Sequence, residues 1–254
     1  VREEFYTRIE EDLKWLGLDW QGTPLRQSAR GPSYHAALDT LRERALVYPC
    51  FCTRREIQQE WARMVAAPHG RDTPVYPGTC KGLGDGEIRR RLEAGLPHAW
   101  RLDAQKALQV VGPLAFHDLR LGAFKVDAAL LGDVVLARKD IGAAYHLAVV
   151  VDDAFQEMTH VTRGEDLLSS THVHRLLQAL LGLPEPCYLH HALILDDEGK
   201  RLAKSGGGQT LADLRQSGLT RDEVLALTDP AFPTCLGECN IPDRPSLLHR
   251  SISG

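Results

Sequence analysis

Apolar residues recur at three- and four-residue steps from the start of the chain. Phe5, Ile9, Leu13 and Leu16 form one stripe, with Glu3, Glu4, Glu10, Glu11 and Lys14 between them. That spacing predicts an amphipathic helix, closed at Gly17. A turn region runs from Asp19 to Pro32. Ser33 is placed to cap a second helix, whose apolar face is Tyr34, Ala37, Leu38, Leu41 and Ala45. Val47 to Phe51 is strand-like. Thr53-Arg54-Arg55-Glu56 is a capping box opening a helix toward Val65. Residues 66–86 are rich in Pro and Gly and read as loop. Glu87 to Ala94 forms a short basic helix with Arg89, Arg90 and Arg91 as a solvated face.

Past Pro97 the pattern turns to strands: His98 to Leu102, Leu108 to Val111 and Asp133 to Arg138. Tyr145 to Val151 is a continuous apolar run suited to a strand buried on both faces, ending in Asp152-Asp153. In open α/β sheets ligands gather at such carboxyl ends. Ser170 or Thr171 is expected to cap a helix through Leu181, stopped by Gly182. Ala192 to Leu195 reads as another buried strand. Thr210 and Thr220 each precede a short helix, Leu211 to Gln216 and Arg221 to Leu227. The tail from Pro230 has no periodicity and is expected to be poorly ordered. Together these elements predict an α/β sheet domain interrupted by an insertion.

The 254 residues carry 34 acidic and 30 basic side chains, a net charge of −4. A protein that coats nucleic acid without specificity is usually basic, so any nucleic-acid partner here must meet a local patch. No apolar run reaches bilayer length, so no membrane partner is expected. No charged-then-apolar leader is visible, and a cytoplasmic location is expected. The chain opens on Val1 inside a helical pattern and reads as part of something longer.

Cys50, Cys52 and Cys80 cluster around the Pro/Gly-rich stretch. Thiolates on alternate residues can reach one ion, and Cys80 adds a third from a loop. Zinc prefers such ligands in a closed tetrahedron, so a fourth donor is needed. Donor chemistry alone favours His69 over Tyr76. A metal there would staple a module that lacks its own core. Three reduced cysteines in a loop is the plainer alternative. Cys235-x-x-x-Cys239 has no partner pair and reads as free thiols.

Two further features carry chemistry. Gly199 to Ser205, followed by three glycines, is a basic loop suited to following polyphosphate charge. A flexible basic surface loop is its plain alternative. Arg163 lies near a strand-to-helix junction, where a guanidinium can bind a carboxylate with two parallel hydrogen bonds, and the Tyr145 hydroxyl can orient a group beside it. Pairing of Arg163 with Asp153, Glu165 or Asp166 as a structural ion pair is the alternative.

These pieces together resemble a known family. Arg201-Leu202-Ala203-Lys204-Ser205 resembles the KMSKS signature of class I aminoacyl-tRNA synthetases. Tyr145 to Asp153, then His160 to Asp166, resembles the glutamate-binding stretch of glutamyl-tRNA synthetases. Tyr188-Leu189-His190-His191 fits the approach to the KMSKS loop. Within that group the chain is most similar to the shortened glutamyl-Q tRNA(Asp) synthetases, in which Cys-x-Cys and Tyr-x-x-x-Cys bind zinc. The resemblance spans Val1 to about Leu227 and implies Tyr76, not His69, as fourth ligand beside Cys50, Cys52 and Cys80.

The resemblance implies a Rossmann-like catalytic domain with an inserted zinc-binding module. The parts are residues 1–47 and 106–209 for the catalytic domain, 48–105 for the insert and 210–254 for a short helical end and tail. It implies ATP-dependent activation of L-glutamate, magnesium accompanying the ATP, and transfer to the queuosine base of tRNA(Asp) by a monomer. Tyr145 and Arg163 would hold glutamate. Lys204 would be the catalytic cation on the ATP phosphates, with Arg201 and Ser205 beside it. The family's first strand and HIGH motif are expected just before Val1. Arg201 and Ala203 depart from the usual KMSKS residues. A glutamyl-tRNA synthetase fragment charging tRNA(Glu) and an inactive tRNA-binding paralogue are the alternative functions.

Overall fold

The computed structural model describes residues 2–65, 76–127, 131–138, 142–194 and 210–227. Arg201, Lys204 and Ser205, together with His69, Cys235 and Cys239, lie outside the described residues.

The chain divides into two compact units. The smaller contains the described residues up to 26, residues 164–166, and those from 191 onward to 227. Its first helix, α1 (Glu3–Trp15), follows the predicted periodicity, and Gly17 adopts a left-handed φ of 76° just past its end. Two short helices, here α8 (Leu211–Gln216) and α9 (Arg221–Ala226), open on reciprocal capping boxes. Thr210 and Thr220 accept from the backbone N–H three residues on, and Asp213 and Glu223 accept in return. Arg221 Nε donates to the Leu16 carbonyl at 2.7 Å.

The larger unit holds the described residues between 27 and 163 and between 167 and 190. Its first sheet contains β1 (Val47–Cys50), β2 (Ala99–Leu102), β5 (Val135–Arg138) and β6 (Gly142–Ala143), in the order β1-β2-β5-β6 and antiparallel throughout. Cys50 pairs with Ala99 and Val47 with Leu102, so the segment between Cys50 and Ala99 leaves and returns through paired strands. That segment carries α3 (Arg54–Val65) and α4 (Asp85–Glu93). The Thr53–Glu56 capping box is formed. Against this sheet pack α2 (Gly31–Glu43) and α6 (Tyr145–Phe155), and α7 (Leu168–Leu181) packs on these two helices, with Leu38, Leu41, Leu102, Leu136, Leu147, Val150 and Leu177 in one core. Helix α5 (Ala104–Val111) contributes Ala104 and Ala107.

The second sheet, in the order β4-β3-β8-β7, is made of β3 (Ala115–Asp118), β4 (Gly122–Lys125), β7 (His160–Gly164) and β8 (Cys187–His191). β3 and β4 form an antiparallel hairpin, whereas β3 and β8 run parallel with Asp118 opposite Tyr188. Mixed α/β architecture is therefore present, as expected from the sequence.

Several local expectations are corrected. Tyr145 to Val151 is the start of a helix, not a strand. Its run of valines is apolar on every side because α2, α7 and β5 surround α6, and periodicity cannot separate a buried helix from a buried strand. Asp152 accordingly is not a strand-end ligand group. It is buried and accepts from Gln27 Nε2 (3.2 Å), Arg30 Nε (3.1 Å) and Tyr34 Oη (2.6 Å), tying the entry of α2 to α6. Leu108 to Val111 belongs to α5, which is capped by Asp103 accepting from the Lys106 amide. Helix α2 begins at Gly31 with Pro32 in its first turn, so Ser33 is not its cap. Helix α7 begins at Leu168, which puts Thr171 inside it. The strand near its end is β8, ahead of Ala192.

No helix among the described residues is long and apolar enough to cross a membrane.

Candidate functional site

The second sheet delivers three polar side chains to neighbouring strand ends. Asp118 is the last residue of β3, Arg163 the penultimate residue of β7, and His190 the penultimate residue of β8. Carboxyl ends of parallel strands are where such sheets bind ligands.

Arg163 is half-buried, and its guanidinium fork is spread over four neutral partners. Nε donates to His190 Nε2 (3.1 Å) and Nη1 to His174 Nδ1 (3.0 Å) and the Tyr145 hydroxyl (3.3 Å); Nη2 donates to Thr171 Oγ1. Four of its five N–H groups are thus engaged, and among the described residues no carboxylate is bonded to it. Arg163 and Asp153 do not form a hydrogen-bonded ion pair. Tyr145, at the first turn of α6, is 47% exposed, so its hydroxyl stands at the open side of the fork.

The surrounding histidines are neutral. Burial, then the Arg163 charge, pushes His174 down to about 2. His146 and His190 are lowered for the same two reasons, in part offset at His190 by the Asp118 carboxylate. His146 Nδ1 lies 3.1 Å from His174 Nε2, so His174 accepts from Arg163 on one nitrogen and donates to His146 from the other. Burial also raises Asp153 to about 6, against the pull of Arg163. The four groups that hydrogen-bond Arg163 are therefore all uncharged.

The predicted cysteine cluster is assembled. The three Sγ atoms of Cys50, Cys52 and Cys80 all lie within 4.8 Å of one another, with Cys52 and Cys80 3.4 Å apart. The Tyr76 hydroxyl sits 3.2 Å from Cys50 Sγ and 3.5 Å from Cys52 Sγ, and accepts from the Cys80 amide at 2.9 Å. A tetrahedral zinc with Zn–S bonds near 2.3 Å spaces its sulfurs by about 3.8 Å, so the donors fit one ion. The Tyr76 hydroxyl, the fourth donor that the resemblance implies, stands beside these thiols, whereas His69 lies outside the described residues. Arg101, only 8% exposed, lays its guanidinium over the Tyr76 ring at 3.7 Å and places positive charge beside the thiols.

The described part of the segment between Cys50 and Ala99 buries little of its own. Between residues 51 and 98, Cys80 is the one buried side chain among those described, and α4 buries none. Lys81 adds ion pairs to Asp103 (2.8 Å) and Asp133 (3.2 Å), which fix the Cys80 turn to the first sheet.

The sequence reading missed Asp118, Thr171, His174 and His190 as members of the Arg163 network. The His190 resemblance to the approach of the KMSKS loop was the one signal pointing there.

Comparison with known proteins places this geometry in a family. Residues 1–227 match the model of the tRNA synthetases class I (E and Q), catalytic domain. The chain is 43% identical over 236 residues to a glutamyl-Q tRNA(Asp) synthetase of Rhodobacter capsulatus, covering 89% of this chain and 82% of that protein. It is 46% identical over 228 residues to a glutamyl-Q tRNA(Asp) synthetase of Nocardia farcinica, covering 89% and 69%. Among solved structures it resembles the glutamate-tRNA synthetase of Elizabethkingia anophelis, with a TM-score of 0.67 at 27% identity, covering 86% of this chain and 44% of that one. The chain therefore spans less than half of that synthetase. It belongs to the class I tRNA synthetases of the E and Q group, a family of ligases, and carries their catalytic domain.

Proposed function

We propose that this domain activates glutamate with ATP and that the protein transfers it to the queuosine base of a tRNA(Asp). The observation that carries the reading is Arg163, a cation held by neutral groups with one N–H left over. The Tyr145 hydroxyl, which accepts from Arg163, keeps its own proton to donate. A carboxylate seated there accepts from both.

Chemistry decides which carboxylate. Activation needs the glutamate α-carboxylate oxygen to attack the α-phosphorus of ATP while the bond to pyrophosphate breaks. A carboxylate locked to a guanidinium is a poor nucleophile, so Arg163 takes the side-chain carboxylate and leaves the other free. Lys204, with Arg201 and Ser205, balances the charge on departing pyrophosphate, and magnesium accompanies the ATP. Zinc on Cys50, Cys52, Cys80 and Tyr76 is structural. A site closed by four protein donors has no open position for water or substrate.

Similarity to the Rhodobacter and Nocardia proteins supports the tRNA(Asp) acceptor. Likeness to the Elizabethkingia synthetase favours a second reading, charging of tRNA(Glu). Radiolabelled glutamate separates them. Incorporation into queuosine-containing tRNA(Asp), absent from tRNA(Asp) without queuosine and from tRNA(Glu), is expected. Incorporation into tRNA(Glu) instead overturns the proposed acceptor.

A further inference from the structure

Asp118 and His190 are fully buried, and both side chains are 0% exposed. Nothing in the adenylation chemistry above uses them. A carboxylate without water must have its lone pairs filled. Asp118 Oδ1 accepts from the Arg120 (3.0 Å) and Leu121 (2.8 Å) amides; Oδ2 accepts from the His190 amide (2.9 Å) and His190 Nδ1 (2.7 Å). All four donors converge on the end of β3.

This arrangement fixes the imidazole. A carboxylate facing Nδ1 requires the proton there. Nε2 is then a bare acceptor, and it faces Arg163 Nε at 3.1 Å and Thr171 Oγ1 at 3.0 Å. The backbone locks the ring a second way, because Arg120 Nε bonds the His190 carbonyl. The path runs from carboxylate to imidazole to guanidinium across β3, β8 and β7, three neighbouring strands.

We propose that His190, oriented by Asp118, is a positioning residue that aims the Arg163 fork at the substrate carboxylate. The proposal rests on the reading of Arg163 as the glutamate-binding cation. Asp118 keeps the acceptor nitrogen of His190 turned toward Arg163, and Thr171 holds the other edge of the fork. Thr171 is therefore a support of the same cation, and its place inside α7 follows from that task.

Asp118→Asn tests it. The carboxylate has two N–H donors on each oxygen, so a carboxamide meets one pair with its own NH2 group. Facing His190, it forces the proton to Nε2, which then opposes Arg163 Nε–H. In glutamate-dependent ATP–pyrophosphate exchange the glutamate KM is expected to rise about tenfold or more, the effect of losing a hydrogen bond to a charged group, with the ATP KM unchanged. Nitrogen-15 spectra of the histidine rings are expected to show His190 protonated on Nδ1 in the wild type and on Nε2 in Asp118→Asn. His190→Gln, whose side-chain oxygen can still accept from Arg163, is expected to bind glutamate better than His190→Leu. That pair carries the test if Asp118→Asn does not fold.

Wild-type His190 protonated on Nε2 overturns the proposal. So does a glutamate KM unchanged in Asp118→Asn while Arg163→Lys raises it, a result that leaves the glutamate site standing. A glutamate KM unchanged in Arg163→Lys instead removes the glutamate reading and the positioning role with it.

Discussion

With zinc on Cys50, Cys52, Cys80 and Tyr76 as proposed, its removal is expected to unfold the segment between Cys50 and Ala99 while the first sheet persists. The structure sets the scale. Among the described residues 51–98 only Cys80 is buried, so hydrophobic burial contributes little there. Without metal, what remains is weak hydrogen bonding among thiols and the Tyr76 hydroxyl, and burial drives the Cys52 thiol up to about 12, keeping it protonated. A ligand present at a thousandfold excess over its Kd stabilises the native state by about 4 kcal/mol. For a chain of this size each kcal/mol moves Tm by about 2–4 °C, so chelation should lower Tm by about 8–16 °C if the segment melts with the rest. If it melts alone, the loss appears as faster amide exchange in residues 76–98, with β5 still protected. The assay is thermal melting and hydrogen exchange before chelation, after it, and after zinc is restored, with metal content measured throughout. One zinc per chain and a reversible change are expected. Protein that melts identically with and without metal, or a Cys80→Ser variant with wild-type exchange, refutes that role for the metal.

Other expectations follow from the same structure. Acid should destabilise the fold. His146, His172, His174 and His190 all have lowered values, so the unfolded chain takes up their protons first, and stability falls as pH drops below about 6.5. Asp153, raised to about 6, acts in the opposite sense between its ordinary value and 6. Tm measured from pH 7.5 to 4.5 should therefore fall more steeply in Asp153→Asn and less steeply in His174→Gln, and a flat wild-type profile contradicts the neutral-histidine account. Gly164→Ala should reduce glutamate activation, because an added Cβ would stand 2.5 Å from Asp166 Oδ1 and 2.9 Å from Leu193 Cδ2, next to Arg163 in sequence. Wild-type exchange activity in that variant would show the crowding to be relieved without moving β7.

The sequence made local signals legible and long-range ones obscure. Helix α1, the capping boxes at Thr53, Thr210 and Thr220, and the left-handed stop at Gly182 are each encoded within a few residues. The cysteine cluster was visible because metal-ligand spacing is itself local, and Tyr76 as its fourth member came from family resemblance. By contrast, Tyr145 to Val151 looks like a strand because its surroundings, not its own pattern, make it apolar all round. β3 and β4 are four-residue strands whose partners define them. Asp118 and His190 meet across 72 positions, a contact no short motif announces. Thr171 shows the same limit from the other side. Its type and place suggested a helix cap, whereas its hydroxyl serves Arg163 from inside the helix.

The family that contains this chain covers both glutamate and glutamine, so the most direct test asks which one Arg163 accepts. ATP–pyrophosphate exchange should be measured with each amino acid, on the wild type and on Arg163→Lys. The account predicts exchange with glutamate, with glutamine poorer by about 10–100-fold, the worth of hydrogen bonds between a guanidinium and a carboxylate. It also predicts that Arg163→Lys, which keeps the charge and loses the fork, raises the glutamate KM. Equal use of the two amino acids, or a glutamate dependence untouched by Arg163→Lys, would contradict it.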